Sequence, residues 1–151
     1  WEVDKFEELH RSVIEKCPDT DKAIESCWRL SNLYLMSSDE PRYDKAIEVL
    51  EHLIAKYPDS PIVPEAKNRL LLAYKEAGHP DKVAAMYQEL FKLNPNPDDR
   101  TFMIWALEYA DALAATGKKN DADTLYQQII ERDYGKDQLE ARAARARLNR
   151  K

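Results

Sequence analysis

Four copies of one short motif, about forty residues apart, constrain this chain of 151 residues more than any other feature. In each copy an acidic residue, usually with a lysine beside it, precedes a small or apolar residue, and an apolar pair follows further along. The equivalent positions are Phe6, Ala46, Val83 and Ala122, so that successive copies lie 40, 37 and 39 residues apart. A period in this range indicates stacked structural repeats, none of which can bury its apolar face alone.

Each repeat is predicted to contain two helices. In the second helix apolar residues recur at i, i+3, i+4 and i+7, which is the spacing of one helix face. The clearest copies of this spacing are Ala46, Val49, Leu50, Leu53 and Ile54, and then Val83, Met86, Tyr87, Leu90 and Phe91. The first helices are predicted over 23–37, 64–77 and 101–116, and a closing helix over about 137–150.

Glycine, proline and capping residues punctuate this pattern. Gly78 and Gly117 fall just past two of the first helices, where a left-handed residue ends a helix at little cost. Pro80 stands where the next helix is expected to begin, and its missing N–H does no harm at that position. Ser60 and Asp98 are expected to cap the helices that follow them.

The order of these residues resembles the tetratricopeptide repeat family, whose pattern places small and aromatic residues at fixed positions in both helices of a hairpin. The matching residues are Leu30, Ser31, Tyr34, Ala46, Leu50, Leu53 and Pro58 in the first repeat, Leu70, Ala73, Tyr74, Gly78, Val83, Tyr87, Leu90 and Pro95 in the second, and Ala110, Gly117, Ala122, Tyr126 and Ile129 in the third. The loop 36–42 departs from the pattern by about three extra residues.

The resemblance implies an all-α fold, a right-handed α-α superhelix of about eight antiparallel helices forming a single domain over 1–151. Its parts would be the second helix of a truncated repeat over 1–20, repeats over 24–60, 64–97 and 103–136, and a capping helix over 137–151. The alanines of the pattern would let helix axes approach closely, and Tyr74, Tyr87 and Tyr126 would fill the core rather than serve a functional site.

The first copy lacks a leading helix. We expect the face that carries Phe6, Leu9 and Val13 to pack on upstream residues, and the chain to have been excised from a longer solenoid. A mature protein that starts at Trp1, with that residue as a cap, is the alternative.

The linker 56–61, with the sequence Lys-Tyr-Pro-Asp-Ser-Pro, is similar to joints of bacterial envelope proteins of this family, namely outer-membrane assembly lipoproteins and Tol-Pal-associated proteins. The similarity implies a bacterial protein of the periplasm or envelope, with a possible membrane tether outside this segment. That compartment would permit a disulfide between Cys17 and Cys27. Their spacing matches no zinc or redox motif, and two free, buried thiols are the other interpretation.

Composition and motifs argue against catalysis, metal binding and nucleic-acid binding by this chain. Three glycines are too few for a glycine-rich phosphate loop, and the net charge of −5 leaves no global basic field for nucleic acid. His10, His52 and His79 have no second metal ligand three or four residues further along the chain, and no nucleophile–base motif occurs. We therefore predict no catalytic residue, no metal, no cofactor and no small-molecule substrate.

The function that the resemblance implies is a protein–protein interaction scaffold that binds a peptide or helix in a concave groove. The groove positions carried over from the family are Glu25, Trp28, Asn32, Leu35, Glu65, Asn68, Leu72, Lys75, Ile104, Leu107 and Asp111. The alternative is a structural solenoid segment of a larger regulator or enzyme, packed on its own chain.

The family's clamp for a C-terminal carboxylate is not matched. Asn32 agrees with that pattern, but Trp28, Arg69, Ile104 and Glu108 stand where it requires Lys, Asn, Lys and Arg. A role as a chaperone cofactor is therefore not expected.

Four arginines crowd the last predicted helix: Arg142, Arg145, Arg147 and Arg150. Basic residues near a helix C-terminus favour the helix dipole, so a solvated cap explains them. A basic patch for an acidic partner or a nucleic acid is the second interpretation, although no aromatic residues are interleaved as in single-strand binders.

Overall fold

A computed structural model of the chain describes residues 2–36, 40–133 and 137–150, and these ranges contain eight α-helices and no strand. The prediction of an all-α fold is thereby confirmed. In chain order the helices are α1 (Glu2–Lys16), α2 (Asp21–Met36), α3 (Tyr43–Lys56), α4 (Val63–Ala77), α5 (Pro80–Leu93), α6 (Asp99–Ala115), α7 (Lys119–Glu131) and α8 (Leu139–Leu148).

The helices form two compact units, Trp1–Gly78 and His79–Lys151. In the first unit α1, α2, α3 and α4 each pack on the next helix in the chain, and α5 to α8 do the same in the second unit, where α6 also packs on α8. The boundary at Gly78 falls inside the predicted repeat 64–97, which gives α4 to one unit and α5 to the other. The predicted division into repeats remains a prediction.

The helix ends follow the expected backbone chemistry at most positions. Gly78 and Gly117 have φ of 76° and 83°, the left-handed conformation that glycine adopts without a Cβ clash. α5 begins at Pro80, and the Asp98 side chain accepts a hydrogen bond of 2.9 Å from the Thr101 N–H at the start of α6. The cap expected at Ser60 is wrong. The N-cap of α4 is Ile62, so Ser60 lies in the turn that precedes it.

The core of each unit comes from the positions with helical spacing. In the first unit Leu30, Tyr34, Leu50 and Leu53 are fully buried, and in the second unit the largest fully buried side chains include Met103 and Ile129. The small positions of the repeat pattern, Ala46, Ala73, Ala110 and Ala122, are also without solvent exposure. Full burial at small residues is what close approach of helices requires, so this part of the sequence pattern is confirmed.

Every residue of α1 retains some solvent exposure. Phe6 is half-buried with its ring 4.2 Å from that of His10, while Leu9 remains 59% exposed. The His10 Nδ1 atom lies 2.9 Å from the Ser26 hydroxyl of α2. The upstream packing expected for this face remains a prediction.

Both cysteines are free thiols, in different surroundings. Cys27 is fully buried, and this burial raises its pKa to about 11. Cys17 is exposed, so the expectation that both thiols are buried is wrong for this residue, which lies just past the end of α1.

The two thiols are expected to react at very different rates. With iodoacetamide at about pH 8, near the ordinary pKa of a thiol, the native protein should take up one adduct, on Cys17. Urea-unfolded protein should take up two. Mass spectrometry of the intact protein measures both, and Cys17→Ser should leave the native protein unmodified. Labelling of native Cys27 as fast as that of Cys17 would contradict this arrangement.

Asp133, just past α7, is a buried carboxylate that ties two helices together. One of its oxygens accepts a hydrogen bond of 2.8 Å from the Gln138 N–H ahead of α8, and the other accepts one of 3.1 Å from Arg145 Nη2. The Gln138 hydrogen bond, with the charge and hydrogen bond of Arg145, lowers the pKa of Asp133 in spite of burial.

Asp133→Asn is therefore expected to reduce stability in a pH-dependent way. A lowered pKa in the folded state means that the ionised carboxylate stabilises the protein fully above its unfolded pKa of about 4. This contribution is lost as the pH falls through the folded pKa. Urea unfolding of both proteins over a pH series should show a gap between them at neutral pH that closes in acid. A gap that does not change with pH would contradict the lowered pKa.

Candidate partner-binding surface

Arg69 of α4 connects α4 to α2 in the first unit. Its Nη1 atom donates a hydrogen bond of 3.0 Å to the Ser31 hydroxyl and another to the Asn32 side-chain oxygen. Its Cζ atom lies 3.5 Å from the centroid of the Trp28 ring, which is close cation–π geometry. Three groups of α2 therefore fix the position of one guanidinium.

Among the residues that the structure describes, no ion pair neutralises the charge of Arg69. Burial lowers its pKa, and the charge of Glu65, one turn earlier in α4, opposes that change. Within 2–36, 40–133 and 137–150, no carboxylate makes an ion pair or a hydrogen bond with this guanidinium. The half-buried guanidinium therefore places a positive charge on this surface, and the described residues supply no direct counter-charge to it.

Other predicted groove residues lie on the same two helices. On α4, Glu65, Asn68 and Lys75 are exposed, and Leu72 is 51% exposed. On α2, Trp28, Asn32 and Leu35 are half-buried, and Glu25 is exposed in an ion pair of 2.7 Å with Arg29. Sequence reasoning named Arg69 only as a mismatch to a clamp, and the structure makes it the link between the two predicted sets.

The predicted groove residues of α6 belong to the second unit. Ile104 is 39% exposed, and Leu107 packs partly buried against the core. Asp111 accepts hydrogen bonds of 2.8 Å from Arg147 Nε in α8 and of 2.6 Å from the Tyr126 hydroxyl in α7. Its carboxylate thus holds three helices of the unit together.

The C-terminal arginines are mostly engaged by carboxylates of their own unit. The ion pairs are Arg142–Asp137 at 3.8 Å, Arg145–Asp133 at 3.1 Å and Arg147–Asp111 at 2.8 Å. Arg150 is exposed. Carboxylates that already hold three of the arginines weaken the positive field that a nucleic acid would meet.

Hydrogen bonds from buried tyrosines to carboxylates of a neighbouring helix were not foreseen. The pairs are Tyr34–Glu7, Tyr74–Glu51, Tyr87–Glu108 and Tyr126–Asp111. The tyrosines are buried, as their expected role in the core requires. A buried hydroxyl needs a partner, but no sequence spacing identifies which carboxylate supplies it.

The second unit carries an apolar groove that sequence analysis did not single out. A cavity of about 570 Å³ lies among α5, α6 and α7, lined by residues that include Gln88, Phe91, Tyr109, Leu125 and Gln128. The rings of Phe91 and Tyr109 stack with centroids 6.0 Å apart.

Among the described residues, no cluster of three or more His, Cys, Asp or Glu side chains is arranged to hold a metal ion. The described helices also include none with the length and hydropathy to cross a membrane.

Two segments of the chain, 39–60 and 106–137, match the family model of the tetratricopeptide repeat. The first contains α3, and the second contains most of α6 together with α7. No curated protein matches the chain. The chain is thus similar to the tetratricopeptide repeat family over these two segments.

Proposed function

We propose that the chain is a non-catalytic scaffold that binds a peptide or helix of a partner protein on the Arg69 surface. This surface comprises Trp28 and Asn32 of α2 and Arg69, Asn68 and Leu72 of α4. The observation that carries the proposal is the fixed guanidinium of Arg69, stacked on Trp28 and bonded to Asn32.

The chemistry of these side chains suits a polypeptide. The amide of Asn68 can both donate to and accept from a peptide backbone, and it is exposed. Trp28 and Leu72 supply apolar contact, and tryptophan and arginine are the residue types that most often dominate interface energies. Repeats of this family commonly present such faces to extended partners.

The alternative is a segment that packs on other parts of its own chain. The same surface would then be covered within one molecule, and no separate partner would be needed. The similarity of the linker 56–61 suggests an origin in the bacterial envelope. In this proposal that origin indicates only where candidate partners would be sought.

Affinity capture tests the proposal. The purified chain serves as bait in an extract of the cells from which the gene comes, beside a Trp28→Ala/Asn68→Ala variant and a matched Lys67→Ala control. Lys67 is exposed on α4 outside the Arg69 surface. Each captured protein is then purified and its Kd is measured by calorimetry.

We expect the double variant to weaken binding at least about tenfold, because interface anchors of this kind are worth about 2 kcal/mol or more. The control should bind as the original chain does. A purified partner that binds the double variant with unchanged affinity would remove the Arg69 surface from consideration.

A further inference from the structure

We propose that the Arg69 surface recognises the carboxylate side chain of an Asp or Glu within the partner segment. This inference rests on the proposed function and adds the chemistry of the partner. It is carried by the hydrogen bonds that Arg69 makes and by the N–H groups of Arg69 that make none with the described residues.

Several N–H groups of the Arg69 guanidinium make no hydrogen bond to the described residues. Arginine carries five N–H groups, and the internal hydrogen bonds of Arg69 to Ser31 and Asn32 both come from Nη1. In the described parts of the chain, Nε and Nη2 of Arg69 make no hydrogen bond. The Nε–H and one Nη2–H point in parallel along one edge of the group, which is the fork that a carboxylate binds with two hydrogen bonds.

Arg69 also differs from the other arginines of its unit. Arg11 and Arg42 pair with Glu7 at 3.7 and 3.4 Å, and Arg29 pairs with Glu25 at 2.7 Å. Arg69, by contrast, is half-buried, and its direct partners within the described ranges are all neutral. A carboxylate from a partner would supply the missing counter-charge, so the surface is complementary to an acidic segment.

The position of the group is fixed before any partner arrives. The Cζ atom of Arg69 lies over the ring of Trp28, and Ser31 and Asn32 accept hydrogen bonds from Nη1. An arginine ordered in advance loses less side-chain entropy on binding than a free one, which favours affinity.

A side chain within a continuing segment fits this site better than a free C-terminus. Arg69 is a single cation, Glu65 lies one turn away on α4, and Arg29 is already paired with Glu25. Asn68 and Leu72 are exposed on either side of Arg69 along the helix and offer contacts to residues that flank the acidic one.

Display of random peptides tests this inference while the natural partner is still unidentified. Peptides of about ten residues, which span roughly 33 Å when extended, are displayed in two forms, one with the C-terminus fused and one with it free. Baits are the original chain, Arg69→Gln, Arg69→Lys, Trp28→Ala, and Arg29→Gln as the matched control of an arginine that already has a carboxylate partner. A selected peptide is then synthesised with an amidated C-terminus, and its Kd is measured together with that of its Asp→Asn or Glu→Gln form.

The fused library should yield peptides enriched in Asp or Glu on the original chain and on Arg29→Gln. Arg69→Gln and the amide form of the peptide should each weaken binding at least about tenfold, as expected for a lost charge-assisted pair. Combining the two changes should add little further loss, and Arg69→Lys should fall between. Because the peptide is changed as well as the protein, the result does not depend on every Arg69 variant folding.

Different results would overturn this inference alone and the proposed function with it. Selected peptides that need no acidic residue but do not bind the Trp28→Ala variant would overturn this inference and leave the proposed function standing. Peptides that bind only with a free C-terminus would overturn it in favour of a terminal carboxylate. No selected peptide, or peptides indifferent to Trp28→Ala, would overturn both.

Discussion

Leu50→Ala is expected to lower the free energy of unfolding by about 3 kcal/mol, within the usual range for a leucine truncated in a packed core. Leu50 lies in the middle of α3 and has no solvent exposure. α3 packs on both α2 and α4, so a cavity at this position removes contacts on which two helix interfaces depend.

Urea unfolding followed by circular dichroism measures this effect, with Leu9→Ala as the matched control. Leu9 is 59% exposed on α1, and its truncation should cost less than about 1 kcal/mol, since little apolar area leaves the core. Equal losses for the two variants would show that α3 does not form the centre of the first unit.

Asp111→Ala is expected to cost about 2 kcal/mol, because it leaves the buried Tyr126 hydroxyl and the Nε and Nη2 groups of Arg147 without their acceptor. The Tyr126 hydroxyl of α7 and Arg147 of α8 both donate to this carboxylate of α6. Burial and the hydrogen bond to Asp111 raise the pKa of Tyr126, so the phenol stays protonated and acts as a donor.

A double-mutant cycle separates this network from a general loss of charge. Tyr126→Phe should cost clearly less in the Asp111→Ala background than in the original chain, since the shared hydrogen bond is already absent. Glu131→Ala, an exposed carboxylate change on α7, should lie within about 0.5 kcal/mol of the original protein. An Asp111→Ala variant as stable as Glu131→Ala would contradict a structural role for Asp111.

The helices and their buried faces could be predicted from the sequence because both depend on local spacing. Gly78 and Pro80 mark the end of α4 and the start of α5, and Ala46 and Leu50 take the interior positions that the repeat assigns to them. The cap predicted at Ser60 is wrong because a proline and a further residue separate Ser60 from α4. Its side chain therefore contacts the turn rather than the start of the helix.

The candidate site depends on contacts that local spacing does not encode. Trp28 and Arg69 are 41 residues apart in the chain and meet only when α2 and α4 are in place. The family pattern predicts Asn32 and Asn68 as groove positions, but it does not include an arginine that packs over a tryptophan ring. The role of Asp111 was likewise hidden, since Arg147 lies 36 residues further on.

Amide chemical-shift mapping by NMR, with a purified partner or a selected peptide added stepwise, tests most directly whether the Arg69 surface is where partners bind. The predicted result is a set of shifts concentrated around Trp28, Asn32, Arg69 and Leu72 in α2 and α4. Shifts centred instead on the groove among α5, α6 and α7 would contradict the assignment of function to the Arg69 surface.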